Sequence, residues 1–294
     1  MRWSAVSIGI AILICGNLSS SLSDVAVKLL DGSVSAFQYM FIRQLLSVIL
    51  IMPLWLRLPS AQRDIGHWKI NAIRAHLVLI GSGLLLIALT YLPLATANAL
   101  FYAAPLLMLP LSMLVLGERP NKEKVVATAI GFVGIIIVLR PDQFHWAAFA
   151  ALGTASTLAL YNVLVRKLPP QQPIISTLFW TGILSLPISS LLAYQYWQPL
   201  QSKQWLLIAA SALFTLGYQG CCVAAYRQSE TYKIGLAEYS GLIFVAVFGY
   251  LWFNEIPDLL TGLGILLIII PMAPWPKLCR PPQNVLTPHP EEKI

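Results

Sequence analysis

Leu116-Gly117-Glu118-Arg119-Pro120-Asn121 and Phe253-Asn254-Glu255-Ile256-Pro257-Asp258 stand 137 residues apart, each closing a long apolar run, and they share a Glu-x-Pro core. The same shift lays Tyr102 on Tyr239, Ala88 on Ala225 and the aromatic-flanked Arg43 on Trp180, with no gap between them. Coincident Leu or Ala carries little weight in so apolar a sequence. A Glu-x-Pro pair at matched ends of the fourth and ninth apolar runs carries more. An internal repeat of this length in an apolar chain is the mark of a symmetric transporter-like fold.

Composition sets the solvent. Hydrophobic residues make up 57% of the 294 and charged ones 11%, with a mean hydropathy of +0.73. A soluble domain carries about a quarter charged residues, and so few polar groups could not cover a water-facing surface. The net charge of +7 does not point to nucleic acid, because Lys and Arg sit at the ends of apolar runs and form no basic cluster interleaved with aromatics. Cys15, Cys221, Cys222 and Cys279 have neither metal-ligand spacing nor a paired framework. There is no His-Glu-x-x-His, no Walker loop and no Gly-x-Ser-x-Gly elbow. No metal, no cofactor, no catalytic residues and no direct ATP drive are therefore expected. Met1-Arg2-Trp3 leads into an apolar run lacking a small-x-small cleavage site, which reads as a retained first helix.

Runs long enough to cross a bilayer fall at roughly 4–28, 34–56, 75–92, 96–116, 124–140, 145–165, 173–196, 204–226, 234–253 and 258–276. With the N-terminus in the cytoplasm, fifteen Lys and Arg lie on that side and three (Lys28, Arg140, Lys203) on the other, while Arg43 lies within a span. Such segregation predicts that both termini are cytoplasmic. Five spans per half is an odd number, so the second half must enter upside down, with Glu118 and Glu255 on opposite sides. The expected fold class is an all-α integral membrane protein of ten transmembrane helices arranged as a 5+5 inverted-topology repeat. Residues 1–140 would form the first five-helix repeat and 141–276 the second. The Pro-rich polar stretch 277–294 reads as a disordered cytoplasmic tail.

Leu94-Ala95-Thr96-Ala97-Asn98-Ala99 to Pro105, Leu116 to Pro120 and Gly134, with a second copy in Ala237 to Tyr239, Gly249 to Asp258 and Gly264, resemble the signature of EamA-type members of the drug/metabolite transporter superfamily. The resemblance runs from Ser19 to Pro271. Ser19-Ser20-Ser21 with Asp24 and Lys28, Phe41-Ile42-Arg43, Ile175 to Trp180 and Phe253 to Asp258 are similar to the branch containing bacterial S-adenosylmethionine permeases. Riboflavin importers and metallophore exporters share much of the pattern. The resemblance implies a secondary carrier of a bacterial inner membrane, moving a small polar or zwitterionic metabolite by alternating access. Its partners would be that small-molecule substrate and the lipid bilayer, with a homodimer left open.

Ionisable groups in hydrocarbon are costly and call for a reading each. Arg43 reads as a cation facing substrate or as half of a structural pair. Glu238 reads as a proton-coupling carboxylate or as a partner for Arg227 or Lys233. Asp24 and Lys28, four apart on one helix face, read as an ion pair near the outer mouth, with Asp24 otherwise a substrate ligand. Tyr102, Tyr161, Trp180, Tyr218 and Tyr239 could stack on a ring or a cationic centre or belong to interfacial belts. Asn17, Asn98, Asn162 and Gln219 suit either a central cavity or interhelical hydrogen bonds. The substrate-binding candidates are thus Arg43, Glu238, Tyr102, Tyr239, Trp180, Asn98 and Asp24. Gly131, Gly134, Gly262 and Gly264 are expected at close helix contacts.

Overall fold

A computed structural model describes residues 5–117, 122–139, 145–165, 167–169, 171–228, 240–256 and 258–272. Among these the chain is helical throughout its regular structure: α1 (Ala5–Lys28), α2 (Ala36–Leu56), α3 (Trp68–Tyr91), α4 (Leu94–Phe101), α5 (Ala103–Leu116), α6 (Lys122–Leu139), α7 (Ala147–Val165), α8 (Ile174–Gln195), α9 (Ser202–Gln228), α10 (Ser240–Phe253) and α11 (Leu259–Met272). Helices α4 and α5 follow one another through a single span, so the elements occupy the ten expected span positions. Six stretches are long and apolar enough to cross a membrane, namely 8–28, 36–56, 68–91, 94–116, 147–164 and 174–195. Helices Thr128–Leu139 and Ser240–Phe253 are apolar but shorter. The tail 277–294, together with Glu118, Glu238 and Tyr239, lies outside the described residues.

The third span starts earlier than hydropathy suggests, at Trp68 and not near 75. The residues that masked it, Asn71 and Arg74, each find a partner inside the protein for part of their polar group. The Asn71 amide donates to the Ile65 carbonyl at 2.6 Å, and the Arg74 guanidinium lies 3.9 Å from the centre of the Tyr161 ring. Arg74 therefore belongs to a helix and not to a loop. The fourth span breaks at Tyr102, whose ψ is 0°. Pro105 follows three residues later and has no N–H to return to Phe101, so the ladder weakens there.

Around an apolar core, burial departs from that of a soluble protein at the surface and at the polar groups. Leu114, Leu191, Leu206 and Phe149 are 68–82% exposed, whereas Asn17, Asp24, Gln38, Asn71 and Arg74 are at most 6% exposed. Apolar side chains outward and polar ones inward is the arrangement a hydrocarbon solvent selects. Counting helices from the N-terminus, α3, α8 and α10 end, and α7 and α9 begin, on the face opposite the start of α1. Tyr91, Trp146, Tyr194, Tyr196, Trp197, Trp205 and Trp252 are exposed at that level, forming an interfacial aromatic belt.

The pairing of helices carries the repeat. Helix α1 packs on α9 and α3 on α7; α2 packs on α8, α6 on α11, and α4 on α10. Exchanging the first five spans for the second converts the first of these contacts into the second and each of the others into itself. Small residues permit the closest approaches. A Cβ at Gly16 would sit 2.8 Å from Cys221 Cβ between α1 and α9, and one at Gly264 would lie 2.8 Å from the Gly134 carbonyl between α6 and α11. Gly262, expected at such a contact, has nothing within 4 Å of its would-be Cβ.

Candidate functional site

Helices α1, α2, α4 and α9 converge on a polar cluster in the middle of the bundle. Ser23 and Asp24 come from α1. Tyr39 and Arg43, one turn apart, come from α2; Ser211 and Thr215, also one turn apart, come from α9. Helix α4 contributes Asn98. Each i,i+4 spacing puts two polar groups on one helix face. The Tyr39 hydroxyl and Ser211 Oγ are 3.1 Å apart, Ser23 Oγ lies 3.0 Å from both Ser211 Oγ and Thr215 Oγ1, and Arg43 Nη2 donates to Thr215 Oγ1 at 3.4 Å. The Asn98 side chain, whose Nδ2 donates to the Leu94 carbonyl at 3.2 Å, lies beside the Asp24 carboxylate, which also feels the charge of Arg43. Asp24 is 6% exposed.

Arg43 is under-satisfied. Its Nε is buried without a hydrogen-bond partner, and the guanidinium stands 6.0 Å from the Tyr39 ring centre. Among the described residues it forms no ion pair within 4 Å; the ion pair found there joins Lys28 and Glu255. An arginine at the centre of a span costs about 2.5–3.5 kcal/mol by insertion scales, so a position that leaves donors free is not one selected for stability. Arg43 also borders a cavity of about 30 Å³ with Gln44, Tyr161, Thr181, Thr215 and Gln219, the space of about one water molecule.

A second group of polar contacts continues along the same faces. Asn17 Nδ2 donates to Ser240 Oγ at 3.0 Å, and Ser21 Oγ donates to the Asn17 carbonyl at 2.9 Å. Tyr102 lies one turn beyond Asn98, and its hydroxyl occupies the space a side chain on Gly241 would need. Helix α4 thus lies along α1, with Asn98 beside Asp24 and Tyr102 near Asn17.

Of the seven candidates, Asp24, Arg43, Asn98 and Tyr102 come together here. Trp180 does not. Its Nε1 donates to the Arg63 carbonyl at 2.8 Å and its ring meets Trp55 edge-on at 6.0 Å, so it ties the start of α8 to the loop after α2. Glu238 and Tyr239 lie outside the described residues. The sequence reading missed Tyr39, Ser23, Ser211 and Thr215; the i,i+4 spacing of Tyr39 with Arg43 and of Ser211 with Thr215 is the signal that could have found them.

The expected Asp24–Lys28 pair is not formed. Lys28 Nζ lies 3.0 Å from Glu255 Oε1 and donates to the Leu92 carbonyl at 2.6 Å. Glu255 Oε2 accepts the Leu94 N–H at 2.7 Å. Lys28 and the Leu92 carbonyl meet at the C-terminal ends of α1 and α3, where a cation is favoured, and the N-terminus of α4 favours a carboxylate. These helix ends draw the two charges together and leave Asp24 to Asn98. The result is a latch across one end of the bundle, with Glu255 of the second Glu-x-Pro motif reaching into the first half. Beside it is a cavity of about 290 Å³ whose lining includes Pro93, Thr96, His145, Glu255 and Asp258.

A multi-pass helical bundle whose helix contacts survive exchange of its halves, with polar and charged groups buried where they meet, defines the class: a membrane transporter. The chain belongs to the EamA-like transporter family, which matches it twice, over residues 7–140 and 145–273. It is 26% identical over 268 residues to the S-adenosylmethionine uptake transporter of Rickettsia prowazekii (strain Madrid E), covering 89% of this chain and 90% of that protein. It is 28% identical over 236 residues to the riboflavin transporter of Vibrio cholerae, covering 78% of each. A pseudopaline exporter of Pseudomonas aeruginosa is 22% identical over 268 residues, with 89% and 93% covered. A solved crystal structure at 20% identity superposes with a TM-score of 0.55, covering 93% of this chain and 96% of its own, a likeness of fold alone.

Proposed function

We propose that this transporter is a secondary carrier that moves a small zwitterionic metabolite of the S-adenosylmethionine class across the bacterial inner membrane by alternating access. The observation that carries the reading is the meeting of Asp24, Asn98 and Arg43 in one buried cluster. A zwitterion offers each charge its complement, a cationic centre for the carboxylate of Asp24 and a carboxylate for the guanidinium of Arg43. Tyr39 and Tyr102 supply rings for a cationic or planar group. S-adenosylmethionine has a sulfonium, an ammonium, a carboxylate and a fused ring, and the name of the Rickettsia relative points to the same cargo.

In this reading both termini are cytoplasmic, as the distribution of Lys and Arg favours. The Lys28–Glu255 latch then closes the external face, and residues 1–140 and 141–276 rock against each other. The central cavity has room for about one water, so cargo enters only when the helices around it part. Proton coupling, if present, falls to Glu238.

Counterflow in proteoliposomes tests the proposal. Vesicles loaded with unlabelled S-adenosylmethionine should take up the labelled compound several-fold faster than empty ones, and the label should be recovered unchanged. Equal rates in loaded and empty vesicles, or a chemically altered label, would contradict a carrier of this cargo.

A further inference from the structure

Arg74 lies in α3, six residues from its start, and is 2% exposed. Its Nε donates to the Tyr161 carbonyl at 3.2 Å, and its guanidinium stands 3.9 Å from the centre of the Tyr161 ring. Its Nη1 is buried and has no hydrogen-bond partner. Among the described residues no carboxylate pairs with it. Tyr161 is also a wall of the central cavity that Arg43 borders, and so is Val78, one turn along α3 from Arg74. Arg43 stands seven residues after the start of α2, and α2 and α3 run in opposite directions. At ~1.5 Å rise per residue, the two arginines are on the order of 10 Å apart along the bundle axis. Arg43 is nearer the latched face and Arg74 nearer the opposite one, with Tyr161 and the cavity between them.

We infer that Arg74 is a second binding position for the carboxylate of the cargo, taken up after Arg43 as the substrate crosses toward the face opposite the latch. With Nε bound to the Tyr161 carbonyl, the guanidinium still has Nη1 as a free donor for a carboxylate, and a free buried donor is satisfied when one arrives. The ring of Tyr161 holds the guanidinium in place whether or not the donor is occupied. A single central arginine would have to hold the carboxylate and also release it. Two positions about one cargo length apart allow transfer from one cation to the next, and a carboxylate need not cross the bundle unpaired. The assignment deepens the zwitterion reading and rests on it.

Equilibrium binding and counterflow of S-adenosylmethionine, each repeated with its decarboxylated analogue, separate the possibilities. Arg74→Met should bind S-adenosylmethionine within about threefold of the unaltered protein, since Arg43 is intact, yet exchange it at least tenfold more slowly. Its exchange of the decarboxylated analogue should change less than twofold. Arg74→Lys, which keeps the charge and serves if the Met variant fails to insert, should recover part of the S-adenosylmethionine rate and likewise spare the analogue. Equal slowing of both compounds in either variant would mean that Arg74 only supports the helix packing, and would overturn the inference alone. If the unaltered protein exchanges neither compound, the parent reading falls and takes this one with it.

Discussion

The latch and the central cluster handle charge in opposite ways. At the latch, Lys28 has a carboxylate at 3.0 Å and a carbonyl at 2.6 Å, and Glu255 has a helix N-terminal N–H at 2.7 Å. At the centre Arg43, and toward the opposite face Arg74, each keep a buried nitrogen without a partner, and Asp24 lies beside the Asn98 amide. A bundle selected only for stability would do the reverse, because an unpaired charge costs more the deeper it is buried. Paired charges at a bundle end suit a contact that holds two halves together in one state. The central charges, which have no ion-pair partner among the described residues, suit the proposed cargo.

Substitutions at the two places should therefore differ in kind. The largest effect is expected at the centre. Arg43→Ala or Asp24→Asn should lower S-adenosylmethionine counterflow by about 10- to 100-fold or more, the weight of about 1.5–3 kcal/mol for a hydrogen bond to a charged group, while fluorescence-detected chromatography shows normal insertion. Uptake kinetics unchanged in both variants would remove the cluster from the transport path. Next comes Glu238→Gln, which should retain exchange but lose accumulation driven by a pH gradient if Glu238 couples protons. A variant that still accumulates cargo under that gradient removes Glu238 from the coupling.

At the latch the effect should be smaller and conformational. Glu255→Gln removes the ion pair, a contribution of about 1 kcal/mol for a pair partly open to solvent. Access of a membrane-impermeant maleimide to Thr96→Cys, in the cavity beside the latch, should rise roughly fivefold. Identical labelling with and without the ion pair would show that Lys28 and Glu255 do not hold that face shut. Smallest of all, Trp180→Phe should leave exchange within about twofold and lower the melting temperature by a few degrees, as expected for a residue that ties α8 to a loop. A large loss of exchange without loss of stability would return Trp180 to the site.

The fold was legible in the sequence because two coarse signals agreed. Apolar runs marked the spans, and the Glu-x-Pro pair at Glu118 and Glu255 marked the repeat. The start of α3 was not, since hydropathy reads Asn71 and Arg74 as loop residues although the Ile65 loop and Tyr161 give each a partner within the bundle. In the site, Asp24, Arg43, Asn98 and Tyr102 stood out as polar groups in apolar runs. Tyr39, Ser211 and Thr215 did not, because Ser and Thr hydroxyls can bond back to their own helix and tyrosines are common in interfacial belts, so only their convergence on Arg43 distinguishes them. Lys28 was assigned to Asp24 by helix spacing, which cannot anticipate a carboxylate arriving from 227 positions later in the chain. Trp180 is a candidate as an aromatic that could stack on cargo, but its indole binds the Arg63 carbonyl instead; the repeat that lays it on Arg43 preserves position without preserving chemistry.

The central claim is that Asp24 and Arg43 read opposite ends of a zwitterion. Equilibrium binding of S-adenosylmethionine, its thioether analogue S-adenosylhomocysteine and its decarboxylated analogue, measured on the unaltered protein, Asp24→Asn and Arg43→Gln, tests that claim most directly. The account predicts that Asp24→Asn erases the preference for sulfonium over thioether and leaves the preference for the carboxylate, whereas Arg43→Gln does the opposite. Loss of both preferences together in each variant, or of neither, would contradict it.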